Sequence, residues 1–329
     1  MILVNETPFS AELIRTTLSE QLMVATVVAK AGYAITGEGR LELLTRQRPV
    51  LRGPARLEGV DFPPDAGYGK RGVDLLAVAT AFSPDGSPAR ALVAGISINN
   101  HHFGLAVIGD RRWQRRWPGW VASNPEPFVD MPITWARAFG GHARVEGGEV
   151  PCFDNAVGKG YILDPTAADG VELPNIEDPR QLIRDIEDRP RPVSFCPLPV
   201  GTSYAAEVLE RVDDDGRGLS KEVFNVAIPA HRLPGYIPGA RLRLHNLTSR
   251  PQPDFVLPKT KVVAQVSIGS AHHEFAGEVD TLLVLPSRRE LMLTHRVVFR
   301  YDYARELPRV VRLRCSELEI GAAPREAIA

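Results

Sequence analysis

The sequence predicts a mainly β protein: a β-rich α+β fold of antiparallel, sandwich-like sheets with long ordered loops and a few short helices. Three observations predict it. Short apolar, β-branched runs recur roughly every 10–15 residues, a spacing that suits a sandwich or a bent antiparallel sheet. Helical periodicity is confined to three brief stretches. Glycine and proline number 28 each, and proline above its usual ~5% belongs in turns and at strand ends, because it cannot donate to a ladder.

Taken in chain order, SAELIRTTLSEQ (10–21) reads as a short helix and QLMVATVVAK (21–30) as a strand. VDLLAVATAF (73–82), RALVAGISI (90–98) and FGLAVIG (103–109) read as adjacent antiparallel strands, the first two separated by the turn SPDGSP at 83–88. Residues 111–200, rich in Pro, Gly, Trp and charge, read as long ordered loops over a β-core, and loops of that length are usually functional or flexible. Two more helices are expected at 178–188 (DPRQLIRDIED) and 203–212 (SYAAEVLERV). Strand patterns then return at 240–247, 261–268, 279–285, 290–299 and 309–315. In the fourth of these, Leu291, Leu293, Val297 and Phe299 share a face; in the last, Val311 and Leu313 alternate with Arg312 and Arg314. ISINNHHF (96–103) echoes VSIGSAHHEF (266–275), either a duplicated hairpin or coincidence. The chain is expected to form one unit over 1–329, with a possible subdivision into an N-terminal β part (1–125), a loop-rich middle (126–220) and a C-terminal β part (221–329).

Charge and composition narrow the function. Thirty-nine basic residues against 40 acidic ones leave a net charge of −1, so no global field draws the chain to nucleic acid or anionic lipid. No run is long and apolar enough for a helical span, so no membrane insertion is expected. Three scattered cysteines, Cys152, Cys196 and Cys315, make neither a disulfide framework nor a metal pattern. With no secretory signal pattern at the N-terminus, a cytoplasmic location is expected.

Several stretches invite chemistry. FDNAVGKGY lacks both the first glycine and the Ser/Thr of a phosphate-binding loop, so its glycines read as a tight turn. His101–His102 and His272–His273 are pairs, but neighbours on a strand point to opposite faces, so each pair offers one ligand per side. No cofactor and no metal are expected. His142, Cys152 and Asp154 could be drawn as a thiol hydrolase, although nothing local activates Cys152. GDRRWQRRWPGW (109–120) mixes arginine with tryptophan. It reads as a partner surface, as packing with Trp113 in the core and Arg111 paired to Asp110, or as a single-stranded nucleic-acid site, the last opposed by the near-neutral net charge. In MPITWARAFGG (131–141), Trp135 and Phe139 would share one face of a helical turn, with Gly140 and Gly141 ending it.

In order, NETPF (5–9), VVAKAGYAI (27–35), GKRGVD (69–74), VIGDRRW (107–113), MPITWARAFGG, DNAVGKGY (154–161), LPNIEDP (173–179), FNVA (224–227), GARLRLHNL (239–247), FVLP (255–258), VDTLLV (279–284) and LTHR (293–296) form a series. It resembles the bacterial family catalogued as domain of unknown function 2169, and the resemblance runs over nearly the whole chain. Three departures stand out: NAVG where the family usually has NPVG, His295–Arg296 where it has a tryptophan–arginine pair, and SFCPLPVGTSY (194–204), which is shorter and lacks the tryptophan and arginine expected before a GTY-like turn. The resemblance implies a cytoplasmic, non-catalytic adaptor or chaperone. Its partners would be a toxic effector of type VI secretion, the VgrG/PAAR spike, or both. On that reading Arg111, Trp113, Trp135, Arg137, Phe139, Gly140, Gly141, Asn155, Gly158 and Lys159 line or brace a partner-binding feature. The rival expectation is a hydrolase using Cys152 or a histidine-based metal site at His101 and His273.

Overall fold

The computed structural model describes residues 1–17, 22–199, 221–250, 252–302 and 309–321. Strands dominate these residues, and their helical structure is limited to short 3-10 turns. Two units form: one from residues 1–76, 208–242 and 253–329, the other from residues 77–207 and 243–252.

Among the described residues the first unit holds, besides the small antiparallel pair Ala55–Leu57 with Val60–Phe62, two large sheets. One runs Arg232–Leu233, Val73–Ala77, Glu278–Leu285, Glu290–Asp302, Leu22–Ile35 and Ser10–Thr17, with Leu41–Leu43 also paired to Leu22–Ile35. The other runs Ile2–Asn5, Arg309–Glu319, Lys259–Ile268 and Ala271–Ala276, the first pair parallel and the rest antiparallel. In the smaller sheet the alternation is as read: Val311 and Leu313 are buried while Arg312 and Arg314 are exposed. Glu290–Asp302 behaves differently. Residues 291–297 are all buried, so this is a central strand covered on both faces rather than a one-sided one. Its odd-numbered face meets the smaller sheet, where Phe299 stacks on Phe275 at 5.1 Å and His295 Nε2 lies 3.1 Å from Thr260 Oγ1.

The predicted helix at 10–21 is, over its described part, the strand Ser10–Thr17. It pairs in unbroken antiparallel register with Leu22–Ile35, from Ser10 opposite Lys30 to Thr17 opposite Met23. Sheet pairing overrides a weak local helical preference there.

In the second unit Ala91–Ile98 and His101–Ile108 form a hairpin flanked by Ile176–Glu177, and Arg241–His245 enters this unit beside Ala91–Ile98. The expected run 73–82 divides into Val73–Ala77 and Thr80–Phe82. The first belongs to the larger sheet of the first unit, and the second pairs with Asp130–Pro132. The loop-rich middle is a set of small paired segments: Trp113–Arg116 with Gly119–Ala122, His142–Val145 with Gly148–Pro151, and Phe139–Gly140 parallel to Lys159–Gly160.

The predicted helix at 178–188 is absent, because its backbone donors are taken by carboxylates. Arg180 N donates to Asp178 Oδ1 and Ile183 N to Glu177 Oε2. Arg184 N and Asp185 N both donate to Asp188 Oδ2. Such side-chain acceptors compete with the i−4 carbonyls that a helix needs. The third expected helix, 203–212, lies outside the described residues.

The two histidine hairpins match in detail. Each has a two-residue tip with a positive φ at its first position, Asn99 and Gly269. In each a serine hydroxyl lies 2.9 Å from a histidine Nδ1, Ser97 with His102 and Ser267 with His272.

Candidate functional site

In the second unit the glycine pair explains the local chain path. Gly140 and Gly141 do not end a helix; a 3-10 turn at Trp135–Arg137 gives way to a short strand. Both glycines have positive φ, and a Cβ on Gly140 would sit 2.1 Å from Asn155 O, on Gly141 2.5 Å from Gly158 O. Only glycine lets the loop at 155–158 lie this close. Asn155, fully buried, donates from Nδ2 to Trp135 O (2.8 Å) and Phe139 O (3.0 Å), locking the turn from within. Trp135 Nε1 donates to Pro197 O at 2.6 Å.

A polar seam runs beside this node. Arg111 is ion-paired with the buried Glu177 rather than with Asp110, as expected where consecutive residues of an extended chain point to opposite sides. Burial pushes the Glu177 carboxyl up, and the Arg111 guanidinium opposes that rise. Asn175 links the neighbouring charges: it donates to Ile108 O and Asp110 Oδ1 and accepts from Arg137 Nη1. The Asn175 bond holds the Asp110 carboxyl below its ordinary value. Lys159 lies 3.3 Å from Glu172 and 3.6 Å from Asp110.

The ten residues singled out in the sequence therefore meet in one unit with divided roles. Trp113, Trp135, Phe139 and Asn155 are buried and offer no surface to a partner. Gly140, Gly141 and Gly158 set the loop path. Arg111 is nearly covered, while Arg137 and Lys159 are half-buried at the rim. Cys152 shares an apolar core with Trp113, Phe139, Ile162 and Leu173, whereas His142 is exposed. Among the described residues no group of three or more His, Cys, Asp or Glu side chains is placed to hold a metal.

From that core a basic hairpin projects. Trp113 at its base is buried, Trp120 is half-buried against the same core, and Trp117 at the turn is 96% exposed. Arg115 and Arg116 precede Trp117 and are exposed.

The first unit carries a second polar site. Lys30, Thr281, Thr294 and Arg296 lie on the outer face of the larger sheet and line a cavity of about 40 Å³, room for ~1 water. Each cation has a carboxylate. Lys30 Nζ lies 2.8 Å from Asp65, Arg296 is paired with Asp280, and Lys70 Nζ lies 2.7 Å from Asp74. Asp74 also accepts from Asn225 Nδ2 and Val226 N, each at 2.8 Å. Lys70, Asp280 and Arg296 continue into an open cleft of about 620 Å³ bordered by Tyr68, Lys221, Tyr236, Lys261, Glu278 and Glu317. The signal for this network was a charge inside an apolar strand: Lys30 in VVAKAGY, Asp74 in GVDLLA, Asp280 in EVDTLLVL, Arg296 in LTHRVVF. Such a charge is expensive unless paired.

The blocks quoted from the sequence thus gather at two places. VIGDRRW, MPITWARAFGG, DNAVGKGY and LPNIEDP build the braced loops of the second unit. VVAKAGYAI, GKRGVD, FNVA, VDTLLV and LTHR build the ionic network of the first. No curated protein and no solved structure matches the chain. A family model does, over residues 20–296, under the description "uncharacterized protein conserved in bacteria". The chain belongs to that family, DUF2169.

Proposed function

We propose that this protein is a non-catalytic adaptor or chaperone that binds a toxic effector of type VI secretion and helps load it onto the VgrG/PAAR spike. Family membership supports the reading together with one structural observation: in the second unit, buried polar contacts and close backbone packing hold irregular loops in place. A buried asparagine, a glycine pair without room for a methyl group and the Arg111–Glu177 ion pair all brace loops rather than surround a reacting atom. Rigid loops on a β scaffold suit recognition, because the ordering cost of binding is already met in the free protein. In this reading the buried members of the node brace the surface, and Arg137 and Lys159 belong to its rim.

The test is delivery. In the native bacterium, deletion of the gene is expected to stop export of the effector encoded with it while the remaining secretion machinery still fires. The purified chain is expected to co-elute with that effector or the spike protein. Undiminished effector delivery in the deletion strain would sink the proposal.

A further inference from the structure

We infer that the hairpin Trp113–Arg116/Gly119–Ala122 is the partner-facing probe of the second unit, and that it takes an acidic segment of a protein carrying an apolar residue among its carboxylates. The inference deepens the effector-loading reading and rests on it for the partner being an effector or spike protein.

The hairpin is pinned at its base. Trp113 N donates to Val171 O and Gly170 N to Trp113 O. Ser123 N donates to Arg112 O, Arg112 N to Ser123 Oγ, and Arg115 N to Asp169 Oδ1. In the register, Trp113 is opposite Ala122 and Arg115 opposite Trp120, while Gln114 faces Val121 and Arg116 faces Gly119. Period-two alternation turns the Trp113/Trp120 side to the core and leaves Gln114, Arg116 and Val121 facing outward. Trp117 stands at the tip in solvent. Among the described residues, neither the Arg115 nor the Arg116 guanidinium has an ion-pair partner, whereas Arg111 and Arg112 just before them pair with Glu177 and Glu172.

An exposed tryptophan has a large area to bury on contact, and a free guanidinium bonds a carboxylate in two places. A rigid Trp–Arg tip is therefore a protein hot spot in waiting. The number of free cations decides among macromolecules. Anionic membrane adsorption draws on clusters of roughly 4–8 basic residues, and nucleic-acid affinity grows with each phosphate neutralised. The two unpaired arginines of this tip, Arg116 on the outward face and Arg115 exposed at the end of the other, on a chain of net charge −1 are too few for either, but enough for one acidic segment.

The test pans a random 16-residue displayed peptide library against the purified full chain, then measures selected peptides by fluorescence anisotropy. Peptides with net negative charge and an apolar residue are expected. Trp117→Ala and Arg116→Glu should each weaken binding at least tenfold without moving the melting temperature, since both side chains lie outside the core. Failure to enrich any peptide, selection of neutral or basic peptides, or binding to both variants within twofold would overturn the inference. So would Trp117-dependent sedimentation with phosphatidylglycerol vesicles, which would make the tip a membrane element. A failed panning alongside lost effector delivery in the deletion strain sinks this surface alone; intact delivery sinks the adaptor reading and leaves the peptide result to stand by itself.

Discussion

At Gly140 and Gly147 the chain has positive φ, 142° and 88°, yet the two positions differ in what surrounds them. A methyl group on Gly147 meets nothing within 4 Å, whereas one on Gly140 would meet Asn155 O at 2.1 Å. Gly147→Ala should therefore cost only the backbone term, about 1–2 kcal/mol. Gly140→Ala should cost more than about 3 kcal/mol, because it must also push the Asn155 loop away. Urea denaturation of the two purified variants checks the ordering, and equal midpoints would refute it. Asn155 belongs to the same argument. Its Nδ2 serves two carbonyls that have no solvent to turn to, so Asn155→Ala should destabilise by about 2–3 kcal/mol by the same measurement.

Among the elements, the paired charges on the outer face of the larger sheet invite a direct comparison. Asp280 and Arg296 are both buried, and Arg296 Nη1 also donates to Asp65 O. Asp280→Ala should cost about 3–5 kcal/mol, because it strands a guanidinium. The double change Asp280→Leu/Arg296→Met should cost less than that single change, since it strands no charge. A double variant weaker than the single would mean that the guanidinium's carbonyl contacts, not its charge, hold this face. The same sheet shows what could be read from sequence. One-sided strands announce themselves: Val311 and Leu313 against Arg312 and Arg314 needed only period two. Ser10–Thr17 did not, because its register is fixed by eight residues of the fourteen-residue partner strand, which no local pattern reveals. The 178–188 segment misled for another reason. Its apolar spacing is helical, but its acids bind their own neighbouring amides, and that geometry exists only once the chain is folded. At the site, the blocks pointed to the Trp135–Asn155 node, but not to which members face inward. Lys30, Asp74, Asp280 and Arg296 were visible as charges out of place, yet their pairing across strands was not.

For the molecule as a whole, a net charge of −1 and an isoelectric point near 6.7 keep overall self-repulsion small near neutrality, so individual groups set the response to acid. His295 is the largest of these. It is fully buried on the inner face of Glu290–Asp302, stacked on Phe9, and burial lowers its pKa from 6.5 to about 4. Between those values the unfolded chain binds a proton that the folded one refuses. The stability contributed by the neutral imidazole is thus complete above pH 6.5, falls with pH through the window, and is gone by about pH 4. The displacement corresponds to about 3 kcal/mol. Glu177 has the opposite sign: its raised carboxyl gives stability at low pH that fades as pH rises. The lowered carboxyls of Asp110 and Asp188 hold until the pH falls below the ordinary carboxylate range. His295→Phe keeps a flat ring for Phe9 to stack on and removes the titrating group. It should flatten the stability profile between pH 6.5 and 4 while leaving the steeper loss at lower pH in place. Urea midpoints at half-unit pH steps read this directly; an unchanged slope in the variant would assign the acid limb to the carboxylates and remove His295 from the account.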